Sequence, residues 1–94
     1  MIDQILDVAA EVFQVPRAAL VGRSHARHIA QARQAVAWVL RYTYPALPLE
    51  TIGQLLGGRH HTTIIWALVA AEQRAQADPD YALRLSALVP GGTR

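Results

Sequence analysis

The run Gly57-Gly58-Arg59-His60-His61-Thr62-Thr63 holds the densest polar chemistry of the chain. It sets a guanidinium, two imidazoles and two hydroxyls behind a pair of glycines, between two stretches of helically spaced apolar residues. A guanidinium bonds phosphate oxygens in pairs. Hydroxyls and imidazoles bond base edges or phosphates, and a threonine methyl packs on a thymine methyl. The unpaired amides of a helix start favour a phosphate. These residue types suit recognition of a polyanion rather than bond-making. Adjacent histidines on a helix diverge, and no carboxylate or cysteine stands at ligand spacing from His60 and His61, so no metal is expected. Ser24, His25 and Glu50 do not have the spacing of a triad, and no pair of acids falls in an apolar stretch. Neither enzymatic activity nor a cofactor nor a small-molecule substrate is therefore expected.

The charge distribution points the same way. The net charge is +2, but Arg17 to Arg59 holds six arginines (17, 23, 27, 33, 41 and 59) against Glu50 alone, a net +5, while the remainder carries −3. All four histidines (25, 28, 60 and 61) lie in or beside that basic segment, and every basic residue is arginine. A GC-rich genome accounts for arginine over lysine, but not for the segregation. Cysteine is absent, which excludes disulfides and thiolate sites and agrees with a cytoplasmic protein. No apolar run approaches the ~20 residues of a membrane span, and no signal peptide is evident. The 94 residues, 52% of them hydrophobic, fit one small domain, 1–89, followed by a flexible tail, 90–94.

The elements that must present these residues read as helices. Ile2, Ile5, Leu6, Ala9, Val12 and Phe13 share one face of a helix over 2–14. Pro16 opens a short helix to Leu20. Ser24 is the expected N-cap of a long helix reaching Thr43, with Ile29, Ala32, Val36, Val39, Leu40 and Thr43 inward. Tyr44-Pro45 stops it, and Trp38, Tyr42 and Tyr44 are expected to pack at its rim and end. Leu49, Ile52, Leu55 and Leu56 make a short helix that closes at Gly57. The next runs from His61 to Ala77 with Ile64, Leu68, Ala71 and Ala75 inward, and Asp78-Pro79 then caps and starts a last helix carrying Tyr81, Leu85 and Leu88. Two helices around a glycine turn, the second with a polar start, form a helix-turn-helix pattern, which presents N-terminal residues to a major groove. Glycine turns also occur in plain helical bundles, and a basic segment can be a solvated face.

Residues 57–63 resemble the signature Gly-Gly-Arg-Asp-His-Thr-Thr of the C-terminal DNA-binding domain (domain IV) of the bacterial replication initiator DnaA. Leu49-Glu50-Thr51-Ile52-Gly53 resembles that family's Leu-Pro-Glu-Ile-Gly, Ala32-Arg33-Gln34 its Arg-Gln pair, and Val8 to Phe13 its first helix. The likeness covers about 2–77 in order and spacing. It implies an all-α compact bundle containing a helix-turn-helix, of the Trp-repressor and DnaA-domain-IV kind. It further implies sequence-specific binding of double-stranded DNA, in replication initiation or its regulation. On this resemblance His61, Thr62 and Thr63 face bases in the major groove, with His60, Leu49 and Glu50 beside them. Arg33, Gln34 and Arg59 hold phosphates, and the loop Arg23-Ser24-His25-Ala26-Arg27 enters the minor groove. Such domains read asymmetric sites, so a monomer is expected, with replication-initiation proteins as further partners. No Walker-type glycine loop is present, so ATP-driven origin melting is not expected of this chain, whether excised domain or stand-alone relative.

Four positions depart from the family pattern, one of them Ala70 in place of a basic residue, which weakens phosphate attraction. His60 replaces the signature Asp, which removes a cap and a base-contacting acid; His25 stands where the minor-groove arginine is expected, between Arg23 and Arg27. Trp66 replaces a smaller or polar residue and shares the outward face with Thr62, Val69 and Gln73. An alternative follows: a DnaA-related adaptor with weakened DNA affinity, acting through a partner surface at Trp66 and Val69.

Overall fold

The computed structural model describes residues 2–91; six helices and no strand are present among the described residues. In chain order they are α1 (Ile2–Phe13), α2 (Arg17–Leu20), α3 (Arg27–Thr43), α4 (Leu49–Leu55), α5 (His61–Ala77) and α6 (Pro79–Leu88). The all-α bundle with a helix-turn-helix is the architecture observed. Of the expected tail, 92–94 lies outside the described residues.

α1 buries Ile5, Leu6, Ala9 and Phe13, the stripe its apolar spacing predicts. It ends in a Schellman turn: Gln14 takes φ 55°, its N–H donates to Glu11 O at 3.3 Å, and Val15 N–H donates to Ala10 O at 3.0 Å. Val15 is buried, so the turn directs the chain back into the core. Pro16 sits just outside α2 as its N-cap, in extended backbone, rather than at the first helical position.

α3 is the central element, packed against each of the other five. Ala32, Ala35 and Ala37 share its buried surface with Val36, Val39 and Leu40, and the alanines let neighbouring helices approach closely. Each of Val36, Val39 and Leu40, fully buried, contributes roughly 1.5–3 kcal/mol by leaving water. The helix starts at Arg27 with Ala26 as N-cap, later than Ser24 as expected from the sequence. The Ser24 hydroxyl instead accepts from Ala26 N–H at 3.1 Å, which spends it on the loop.

α6 begins as Asp78-Pro79 predicts, with Asp78 Oδ1 accepting from Asp80 N–H at 3.0 Å. Tyr81 fastens it: the hydroxyl donates to Gln31 O at 2.8 Å, and the ring meets Phe13 edge-on at 5.8 Å. Trp38 packs at the rim as expected, stacked on Tyr42 at 4.7 Å and donating to Glu72 at 2.8 Å.

The helix-turn-helix is α4, the turn 56–60 and α5. Gly53 makes it possible. A Cβ there would lie 2.0 Å from Arg59 O, so only glycine lets α4 back onto the turn. Its carbonyl in turn accepts from Gly58 N–H at 3.0 Å and Arg59 N–H at 2.8 Å. On α5, Ile64 and Ala71 are buried, while Leu68 and Ala75 are partly covered.

Candidate nucleic-acid interface

The first turn of α5 presents His60, His61, Thr62 and Thr63 at the surface, with His61 partly covered. His60 is the N-cap, with extended backbone, and its Nδ1 accepts from Thr62 N–H at 3.2 Å. The cap that replacement of the signature Asp is expected to remove is therefore retained; an imidazole nitrogen takes the carboxylate's place. The His60 and His61 rings lie 4.3 Å apart, tilted by 33°. No cluster of three or more His, Cys, Asp or Glu side chains placed for a metal occurs among the described residues. At the start of α4, Glu50 is exposed in the first turn, and Leu49 is partly buried against the core.

Arg23, His25 and Arg27 are all exposed in the 21–27 segment. A cleft of about 230 Å3 opens at the surface where this loop meets the turn, lined by Gly22, Arg23, His25, Gly57, Gly58, Arg59 and Thr63. The fold thus brings the expected minor-groove loop and the expected recognition turn to the two walls of one polar cleft.

The expected phosphate contacts are placed differently. Arg33 is only 7% exposed. Its Nε donates to Leu20 O at 2.9 Å, Nη2 to Ala19 O at 2.8 Å and Nη1 to Ser24 O at 3.2 Å. Arg59 donates through Nη2 to Gly22 O at 2.7 Å and through Nη1 to Leu56 O. Both guanidiniums are turned onto backbone carbonyls at the ends of α2 and α4 and in the loop that follows α2, although Arg59 also lines the cleft. Gln34, only partly buried, is engaged elsewhere: its Oε1 accepts from Arg74 Nη1 at 2.9 Å, and that guanidinium lies over the Tyr81 ring at 5.4 Å. None of the three projects from the loop or the first turn of α5.

Burial lowers the Arg33 guanidinium below its ordinary pKa, assisted by the charge of Arg59. Burial likewise lowers Arg59, assisted by Arg23. The charges bearing on this group are thus other arginines, which leaves the cleft wall electropositive. Arg17, by contrast, pairs with Asp7 at 2.6 Å and Asp3 at 2.9 Å, and these bonds raise its pKa. Arg41 donates to Pro45 O at 3.1 Å. The basic segment therefore narrows to Arg23, Arg27 and their neighbouring histidines as its outward-facing part.

Trp66 and Val69 are exposed, at 67% and 40%, with Ile65 beside them at 43%. Sequence reasoning missed Ile65, and it missed the inward role of Arg33. The signal for the latter was present: Ile29, Arg33, Val36 and Leu40 fall at intervals of four, three and four, one stripe of a helix.

Residues 2–69 match the family described as the bacterial DnaA protein helix-turn-helix. A chromosomal replication initiator protein DnaA from Synechococcus sp. is 36% identical over 87 residues, covering 93% of this chain and 18% of the relative. Its counterpart in Gloeobacter violaceus is 37% identical over 78 residues, 83% of this chain and 17% of the relative. That of Neisseria meningitidis serogroup C is 34% identical over 80 residues, 85% and 15% respectively. The chain spans less than a fifth of the length of these relatives. With a matching helix-turn-helix, a matching turn and relatives aligned along most of its length, the chain belongs to the bacterial DnaA helix-turn-helix family.

Proposed function

We propose that the domain binds double-stranded DNA sequence-specifically, in replication initiation or its regulation, and works at the nucleoid. The observation that carries this reading is the cleft walled on one side by Gly22, Arg23 and His25 of the loop and on the other by the turn Gly57–Arg59 and Thr63 in the first turn of α5. A helix start placed in a major groove and a loop placed in the adjacent minor groove must straddle the sugar-phosphate strand between them. An electropositive cleft between the two is the shape that this requires. His61, Thr62 and Thr63 read base edges, with His60, Leu49 and Glu50 at the margin of the same groove. Arg23, His25 and Arg27 enter the minor groove and supply the phosphate attraction. The names of the relatives, replication initiators, support the setting. Replication-initiation proteins are proposed as further partners, and a monomer as the binding form. The adaptor alternative rests on the exposure of Trp66 and Val69 alone.

The test is a fluorescence anisotropy titration at moderate salt, comparing a duplex that carries an initiator box with a scrambled duplex. Specific binding is expected. Thr62→Val and His61→Ala should each narrow the gap between the two duplexes by roughly tenfold, the scale of one lost base contact. Equal, feeble binding of both duplexes by the unmodified chain would sink the reading.

A further inference from the structure

We propose that Arg33 and Arg59 are positioning residues: together they fix the minor-groove loop against the recognition turn, so that one duplex meets both. The inference rests on the DNA-binding reading above and assigns the two arginines a role other than holding phosphate.

The two side chains come from different elements and converge on one stretch of backbone. Arg33, from the middle of α3, holds the carbonyls of Ala19, Leu20 and Ser24. Arg59, from the turn, holds Gly22 O and, through its other terminal nitrogen, Leu56 O at the end of α4. Val21 O, between these anchors, lies where a Cβ on Gly57 would be 2.2 Å away, so the loop backbone rests directly on the turn. Four of the six carbonyls from 19 to 24 are thus held by guanidinium donors, and a fifth touches the turn.

Apolar packing cannot do this work. Leu20 is fully buried, but past it Val21 is 39% exposed, and Arg23, His25 and Ala26 are exposed as well. Little in 21–26 is driven from water, so hydrogen bonds must set its conformation. Arginine suits the task because its donors are fixed in a planar fork. One residue can therefore span three carbonyls, which a lysine ammonium on a flexible stem cannot do with the same geometry. Arg59 also carries the message across. It is bonded at once to the loop and to the end of α4, and its backbone N–H is bonded to Gly53 O. The loop and the first turn of α5 are therefore held at a set spacing before DNA arrives.

The experiment is a double-variant cycle on DNA affinity. His25→Ala is made alone and in combination with Arg33→Lys, and Thr62→Val is treated in the same way. If Arg33 positions the loop, Arg33→Lys loses affinity even though it keeps the charge. In that background His25→Ala then costs less than twofold further, whereas Thr62→Val costs the same factor as in the unmodified chain. Amide hydrogen exchange without DNA should quicken in 22–26 and stay unchanged in α1 and α6. If Arg33→Lys should not fold, Arg59→Lys runs the same cycle from the turn. The proposal is overturned if lysine retains the affinity, as a phosphate contact made by charge alone would, and equally if lysine loses affinity but the Arg33→Lys and His25→Ala losses simply multiply. Unchanged exchange in 22–26 overturns it as well. Failure of the unmodified chain to prefer its box would instead count against the DNA-binding reading, because the exchange measurement needs no DNA.

Discussion

An imidazole makes an unusual helix cap. His60 Nδ1 reaches Thr62 N–H at 3.2 Å, longer than the usual amide bond, and a neutral ring offers one acceptor where a carboxylate offers several. A carboxylate at the same place would also meet the positive end of the α5 dipole. His60→Asp is therefore expected to stabilise the domain by roughly 1 kcal/mol, a rise of about 4–8 °C in thermal midpoint. His60→Ala should lower the midpoint. A calorimetric or circular-dichroism melt of the three proteins checks this, and a midpoint for His60→Asp at or below the parent's would refute it. The cap was illegible in the sequence because histidine is seldom a cap, and only the backbone angles at His60 bring Nδ1 to the amide. Arg33 is the opposite case. Its place in the apolar stripe of α3 was readable, and the structure buries it there, whereas the resemblance implied an exposed phosphate contact.

Several element ends were legible because their signals are local, although Ser24 misplaced the start of α3 and Pro16 that of α2. Asp78-Pro79 marked the start of α6, and Gly57 marked the close of α4, where it takes φ +91°. What holds the elements together was less readable, because it depends on backbone carbonyls, which look alike in any sequence. The carbonyls of Ala19, Leu20, Gly22 and Ser24 carry the loop, and nothing in their side chains says so. Gly53 lies between these cases. Its type is visible, but the reason for it, the approach of Arg59 O, is tertiary. Gly53→Ala should therefore cost about 3 kcal/mol, since a backbone atom stands in the way and cannot step aside as a side chain would. Gly58→Ala is the informative control. Its Cβ would meet nothing within 4 Å, and only its φ of +78° is unfavourable, worth about 1–2 kcal/mol. Urea unfolding of both variants should rank them in that order. Equal costs would mean that α4 is not seated on the turn as described.

At the scale of the whole molecule, binding surface and latch lie at different places. The loop and the first turn of α5 form the edge proposed to meet DNA, while Tyr81 joins α6 to α3 and α1 through Gln31 O and Phe13. Burial pushes the Tyr81 hydroxyl up to about 12, from an ordinary 10, with Arg74 acting in the opposite sense. The folded chain therefore keeps this proton at a pH where the unfolded chain gives it up. The associated stability is complete below pH 10 and is lost as pH rises from about 10 toward 12. Melting temperature is expected to fall with pH across that window. Tyr81→Phe, although less stable at neutral pH by about 1 kcal/mol for its lost hydrogen bond, should show a shallower fall. The hydroxyl is then the difference between the two slopes, and whatever the arginines and the other tyrosines contribute is common to both proteins. Parallel slopes would remove Tyr81 as the alkaline weak point. A shallower slope would make the buried Tyr81 hydroxyl, which joins α6 to α3, a measurable source of the alkaline loss of stability.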